Sequence, residues 1–212
     1  MREAGAALAK VCKQAQAQTA ALILPEIPAT LPGYPGTKRL VDGTARAIEG
    51  AATGFALGAF SFDECKGKLF KEGEPRKALK RLTIVTSHIS AANRQALRRG
   101  QVVGEAQNFA RTIATRPGND INPPTLAKVA KELGRELPLT VRVLDEKELK
   151  KLGMGGLLAV GGGSPLTPPR LIAIEYTQNR AKNKKPSRLH KPFLVVGKSI
   201  TFDTGGISIK PA

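Results

Sequence analysis

The chain has 212 residues, 41% hydrophobic and 24% charged, enough to bury a real core, which excludes wholesale disorder. No apolar run approaches the roughly 18 residues of a membrane span, and Cys12 and Cys65 make neither a disulfide framework nor a paired-thiol metal site. The formal net charge of +17 is spread along both halves, which reads as a generally basic surface rather than a dedicated arm.

Residues 4–18, with Leu8, Val11, Cys12 and Ala15 on one side, predict a helix feeding a short strand at Ala21–Leu24. Pro25, Pro28, Pro32 and Pro35 enforce an extended connection. Asp42 is a candidate N-cap for a helix of small residues through Ala45, Ile48 and Ala52, able to pack closely, although Gly50, Gly54 and Gly58 weaken its regularity. Residues 64–81 are polar and basic, and Leu82–Thr86 alternates as a strand should. A helix follows from about Ala91 to Ala114, long for a globular protein. It reads as a helix joining two domains, with the boundary near residue 95.

The second half alternates more regularly. Thr125 can cap a helix with Leu126, Val129, Ala130 and Leu133 on its apolar face, stopped by Gly134. Leu139–Leu144 is a strand, and Asp145 with Glu148 forms a capping-box start to a short helix ended by Gly153. Leu157–Val160, Leu171–Glu175 and Phe193–Val196 read as apolar strands of a sheet covered on both faces. Such alternation means an α/β architecture.

Two glycine-rich sites are decoys. Gly161-Gly-Gly-Ser164 lacks the Gly-x-Gly-x-x-Gly spacing, and prolines follow where a helix N-terminus belongs; a tight loop between strands is the better account. Gly197-Lys-Ser199 has Pro192 where a phosphate-binding loop needs glycine, so ATP or GTP binding at this loop is rejected. The run Arg180–Lys191 carries Lys182, Lys184, Lys185 and Arg188 without an acid. It is a weak candidate for nucleic acid through counterion release, set against the simpler reading of a solvated loop. With 7 Phe, 2 Tyr and no Trp, stacking platforms for single strands are scarce. His88 and His190 read as surface residues rather than ligands.

The segment Val196-Gly-Lys-Ser-Ile-Thr-Phe-Asp-Thr-Gly-Gly-Ile-Ser-Ile-Lys-Pro211 remains. Lys198 and Asp203 at a strand end could form a simple ion pair. Lys198 directly follows an apolar run, however, so a partly desolvated amine is expected there, with its neutral, metal-donating form favoured. Gly205-Gly206 allows a sharp turn that returns Lys210 towards the same place.

This segment resembles the signature of the leucyl (cytosol) aminopeptidase family, with Ser199 in place of the usual glycine and Thr204 in place of serine. Ala106–Ile113, Pro117-Gly-Asn-Asp-Ile-Asn-Pro-Pro124, Leu152–Ser164, Pro169-Arg-Leu-Ile and Glu175-Tyr176 are similar to the family in order and spacing, while residues 1–95 are similar to its N-terminal domain more loosely. The resemblance implies a partial N-terminal α/β domain over 1–95. Over 96–212 it implies a linker helix and the start of an α/β catalytic domain with a mixed, mainly parallel sheet.

For activity, the resemblance implies a cytoplasmic aminopeptidase acting on peptides with a free N-terminus, preferentially leucine, with two divalent ions (Mn2+ or Zn2+) and a hexameric assembly, away from membranes. Asp203 then corresponds to a carboxylate touching both ions, Lys198 to an amine ligand of one, and Lys210 to the catalytic lysine that stabilises the oxyanion. The family's later aspartate and its Asn-Thr-Asp-Ala-Glu-Gly-Arg motif do not occur in the 212 residues. The expectation is therefore an incomplete portion of an aminopeptidase, inactive alone. The alternative is a truncated, non-catalytic basic protein binding nucleic acid.

Overall fold

The computed structural model describes residues 1–27, 30–32, 40–67, 81–177 and 192–201. The chain is α/β and divides into two compact units, Met1–Thr115 and Arg116–Ala212.

In the first unit, helix α1 (Arg2–Gln14) leads into strand β1 (Thr19–Ile23). The proline-bearing connection contains β2 (Thr30–Pro32), which pairs antiparallel with β3 (Leu40–Asp42). Asp42 caps helix α2 (Gly43–Ala59), its carboxylate accepting from the Ala45 N–H at 3.0 Å. Strand β4 (Arg81–Val85) runs parallel to β1, from Thr19↔Arg81 to Ile23↔Val85. Helix α3 (Ala91–Thr115) follows.

The glycines that weakened the α2 reading are what allow it to pack. A Cβ on Gly58 would stand 2.6 Å from the Ala6 carbonyl, and one on Gly54 would collide with the Arg2 carbonyl. The backbones of α1 and α2 therefore touch directly, and that packing outweighs the modest propensity loss of each glycine. On the other side, a Cβ at Gly100 of α3 would stand 2.6 Å from the Glu49 carbonyl. The buried Thr53 hydroxyl joins the two helices, donating to Glu49 O at 2.8 Å and lying 3.2 Å from Gly100 O. Asn108 Nδ2 donates to Ala56 O at 2.9 Å. Leu24, Ala45, Ala47, Ile48 and Ala96 form the core between helices and strands, flanked by Leu22, Ile27, Ile84 and Leu97.

In the second unit, helix α4 (Pro123–Glu136) is capped by Asn122 rather than by Thr125. Thr125 sits three positions into the helix and completes a reciprocal box: Asn122 Oδ1 accepts from its N–H at 3.1 Å, and its Oγ1 accepts from the Asn122 N–H at 2.8 Å. Two prolines at the helix start need no N–H there, which moves the cap ahead of them. Strand β5 (Leu139–Leu144) pairs antiparallel with β6 (Leu171–Tyr176). Between them, α5 (Glu146–Lys151) carries the expected Asp145–Glu148 box and buries Leu149 completely, and Gly153, at φ +66, follows it.

Two expected strands take other forms. Leu157–Val160 lies in a short helix, α6 (Gly155–Gly161); a four-residue apolar run fits a turn of helix as well as a strand, and periodicity cannot separate them. The Gly161–Ser164 loop accordingly joins helix to strand. Phe193–Val196 pairs with no strand among the described residues, and its side chains are 77–92% exposed. β propensity has no effect without a partner to supply the ladder.

Candidate functional site

The site expected from sequence centres on the segment after Pro192. Of its three proposed residues, the structure describes Lys198. Its side chain is exposed, on a stretch without regular structure. The partly desolvated amine is therefore not what the structure shows, because that expectation rested on a covered strand at Phe193–Val196. Asp203 and Lys210, with Thr204 and the Gly205-Gly206 turn, lie outside the described residues, as do Lys182, Lys184, Lys185 and Arg188 of the basic run.

The structure brings together two motifs that sequence reading had treated separately. Pro117–Asn122 folds into a tight turn in which the Pro117 carbonyl accepts from the N–H groups of both Asp120 and Ile121 at 3.0 Å. Arg116 Nε lies 3.6 Å from Asp120 Oδ2, and Ile121 is buried. This turn feeds directly into the capped start of α4. Gly118 at its tip abuts the Thr201 carbonyl so closely that a Cβ would collide with it. Thr201 stands between Lys198 and Asp203 in the chain, so the described part of the segment after Pro192 touches, at Thr201, the turn that opens α4. Nothing in the spacing of the sequence signals that contact, which joins residues far apart in the chain.

The start of α5, elsewhere in the second unit, is electrostatically ordered. The Glu148 N–H donates to Asp145 Oδ1 at 2.9 Å, and this bond, foremost, holds the exposed Asp145 carboxyl below its ordinary value of 3.8. A carboxylate that accepts backbone N–H bonds at a helix N-terminus is favoured in its charged form.

For a divalent cation, the donor chemistry of Lys198 and Asp203, an amine and a carboxylate, suits part of a coordination sphere. Among the described residues no three His, Cys, Asp or Glu side chains group closely enough to hold one. The described residues therefore do not form a metal site by themselves. None of their helices is long and apolar enough to cross a membrane.

Residues 108–212 match the catalytic-domain model of the cytosol aminopeptidase family. A probable cytosol aminopeptidase of Aromatoleum aromaticum is 40% identical over 156 residues, covering 74% of this chain and 30% of that protein. One from Rhodococcus erythropolis is 43% identical over 162 residues, covering 76% and 30%. Among solved structures, the bottromycin maturation enzyme BotP in complex with Mn aligns at a TM-score of 0.61 and 26% identity, over 84% of this chain and 34% of that one. A tomato leucine aminopeptidase mutant aligns at 0.68 with 23% identity, covering 84% and 34%, a likeness of fold. The chain thus spans about 30% of the length of these curated relatives.

Proposed function

Because residues 108–212 belong to the catalytic domain of the cytosol aminopeptidase family, we propose that the protein is a metal-dependent aminopeptidase that releases N-terminal residues, leucine foremost, from peptides in the cytoplasm. The observation that carries the reading is the family match itself, whose residues 108–212 include Val196–Pro211, the segment on which the proposed ligands stand.

In this reading Asp203 and Lys198 contribute a carboxylate and an amine to a centre of two Mn2+ or Zn2+ ions, and Lys210 provides a positive charge where the oxyanion develops. When bound, such ions activate water and anchor the substrate's free α-amine. Two donors fall short of a full coordination sphere, so the remaining ligands come from elsewhere in the complete enzyme, and the 212 residues alone are expected to be inactive. Lys210, as a preorganised donor, contributes only as charge builds in the transition state, so its effect belongs in kcat rather than in binding. Because that charge disappears again in the products, nothing retains the lysine's contact after the step. The family's hexameric assembly belongs to the same proposal.

The test begins with the coding sequence past the codon for Ala212. An in-frame Asn-Thr-Asp-Ala-Glu-Gly-Arg supports the enzyme, whereas an immediate stop codon refutes an active gene product. Hydrolysis of leucine amide by the complete product, abolished by a chelator and restored by Mn2+, is the expected activity. A complete product that leaves leucine amide intact with either metal would sink the proposal.

A further inference from the structure

The arginines of helix α3 divide into two groups. Arg99 is paired with Glu49 at 3.0 Å. Arg111 donates to Leu57 O and to Asn108 Oδ1, each at 3.0 Å, and lies 4.0 Å over the Phe60 ring. These side chains fasten α3 to α2 and the residues that follow it. Arg94 and Arg98 do neither: both are exposed, and neither side chain has a hydrogen bond or an ion pair among the described residues.

These two line one open, shallow groove along α3, of about 440 Å³, together with Gln95, Leu97 and Gln101. The side-chain amides of Gln95 and Gln101 likewise have no hydrogen-bond partner among the described residues. The groove wall is rigid. Leu97 is partly buried against the core of Leu24, Ala45 and Ile48, so the helix cannot roll to withdraw the arginines.

Four residues of helix separate the two arginine Cα atoms by a rise of about 6 Å, on the same face. Two guanidinium forks at that spacing, flanked by two amide donors and with no acid among the described residues that line the groove, suit an anion with several phosphoryl groups. A single carboxylate fills only one fork, whereas a di- or triphosphate offers oxygens to both. The positive end of the α3 dipole lies one turn away and adds in the same sense. The chain's +17 charge favours encounter with such anions.

We propose that this groove, Arg94 and Arg98 with Gln95 and Gln101, is a binding site for a polyphosphate group. The site is separate from the peptidase reading and does not depend on it.

Calorimetric titration of the 212-residue chain with sodium tripolyphosphate tests the site. The comparison uses an Arg94→Gln/Arg98→Gln variant and a charge-matched Lys131→Gln/Arg135→Gln variant, whose positions are exposed on α4. The parent and the α4 variant are expected to bind alike, and the groove variant at least tenfold more weakly. Arg94→Lys/Arg98→Lys keeps the charge but loses the forks, and is expected to fall between. ATP binding as tightly as tripolyphosphate assigns a nucleotide as the source of the phosphates, whereas tripolyphosphate binding alone assigns an inorganic one. The proposal is overturned by equal weakening in the two charge-matched variants, which reports general basicity, or by a parent that shows no saturable binding.

Discussion

Gly100→Ala inverts an ordinary rule of helix stability. In an exposed helix interior, alanine in place of glycine stabilises by about 1 kcal/mol. At Gly100 the new Cβ would stand 2.6 Å from the Glu49 carbonyl oxygen and 2.8 Å from the Ala52 Cβ. One is backbone of α2 and the other belongs to a residue only 5% exposed, so neither swings aside as a long side chain could. Relief requires α2 and α3 to separate. Overpacking of this kind costs about 1–3 kcal/mol. Separation also lengthens the buried 3.2 Å contact from the Thr53 hydroxyl to Gly100 O, a loss of about 1 kcal/mol. Set against the propensity gain, the balance is a destabilisation of about 1–3 kcal/mol. Urea denaturation followed by the helical circular dichroism signal reads this directly, with Gly155→Ala as the comparison, because a Cβ there meets no atom within 4 Å. Gly100→Ala more stable than the parent would show that α2 and α3 are not in backbone contact.

Leu149→Ala removes a fully buried side chain and should cost about 2–5 kcal/mol, measured by the same denaturation. The Asp145 carboxyl has its folded-state pKa lowered, chiefly by the Glu148 N–H, so its cap stabilises above the ordinary value of 3.8 and that contribution fades as the pH falls through the lower, folded one. Asp145→Asn keeps a capping oxygen and should flatten this acid-side dependence in a pH series of melting temperatures; an unchanged profile assigns the dependence to other carboxylates. In the complete enzyme, Asp203→Ala should lose metal and turnover together, and Lys198→Ala should weaken mainly one metal. Lys210→Ala should keep metal while slowing turnover about 10²–10³-fold. Metal stoichiometry measured beside leucine amide hydrolysis separates these roles, and an emptied metal site in Lys210→Ala refutes them.

Local chemistry made much of this protein legible in its sequence. Asp42 and Asp145 read as caps because a short carboxylate before a periodic apolar run satisfies N–H groups that nothing else can reach, and both cap their helices. Leu139–Leu144 and Leu171–Glu175 alternate or persist as strands, and they pair. The ordered motifs from Ala106 to Pro211 carried the family. What the sequence left open depended on partners. Leu157–Val160 and Phe193–Val196 are both short apolar runs, and only neighbours distinguish a helical turn, a ladder strand and an unpaired segment. Lys198 is exposed along with Phe193–Val196, which pairs with no strand among the described residues. The glycines of α2 count against a helix when judged by propensity, but the α1 backbone lies against Gly54 and Gly58. The long helix α3 packs on α2 through contacts far apart in the chain, Gly100 against Glu49, Thr53 to Gly100 and Asn108 to Ala56. Gly118 meeting Thr201 is the plainest case: two residues far apart in the chain touch backbone to backbone, and no local pattern encodes a contact in which neither side chain takes part.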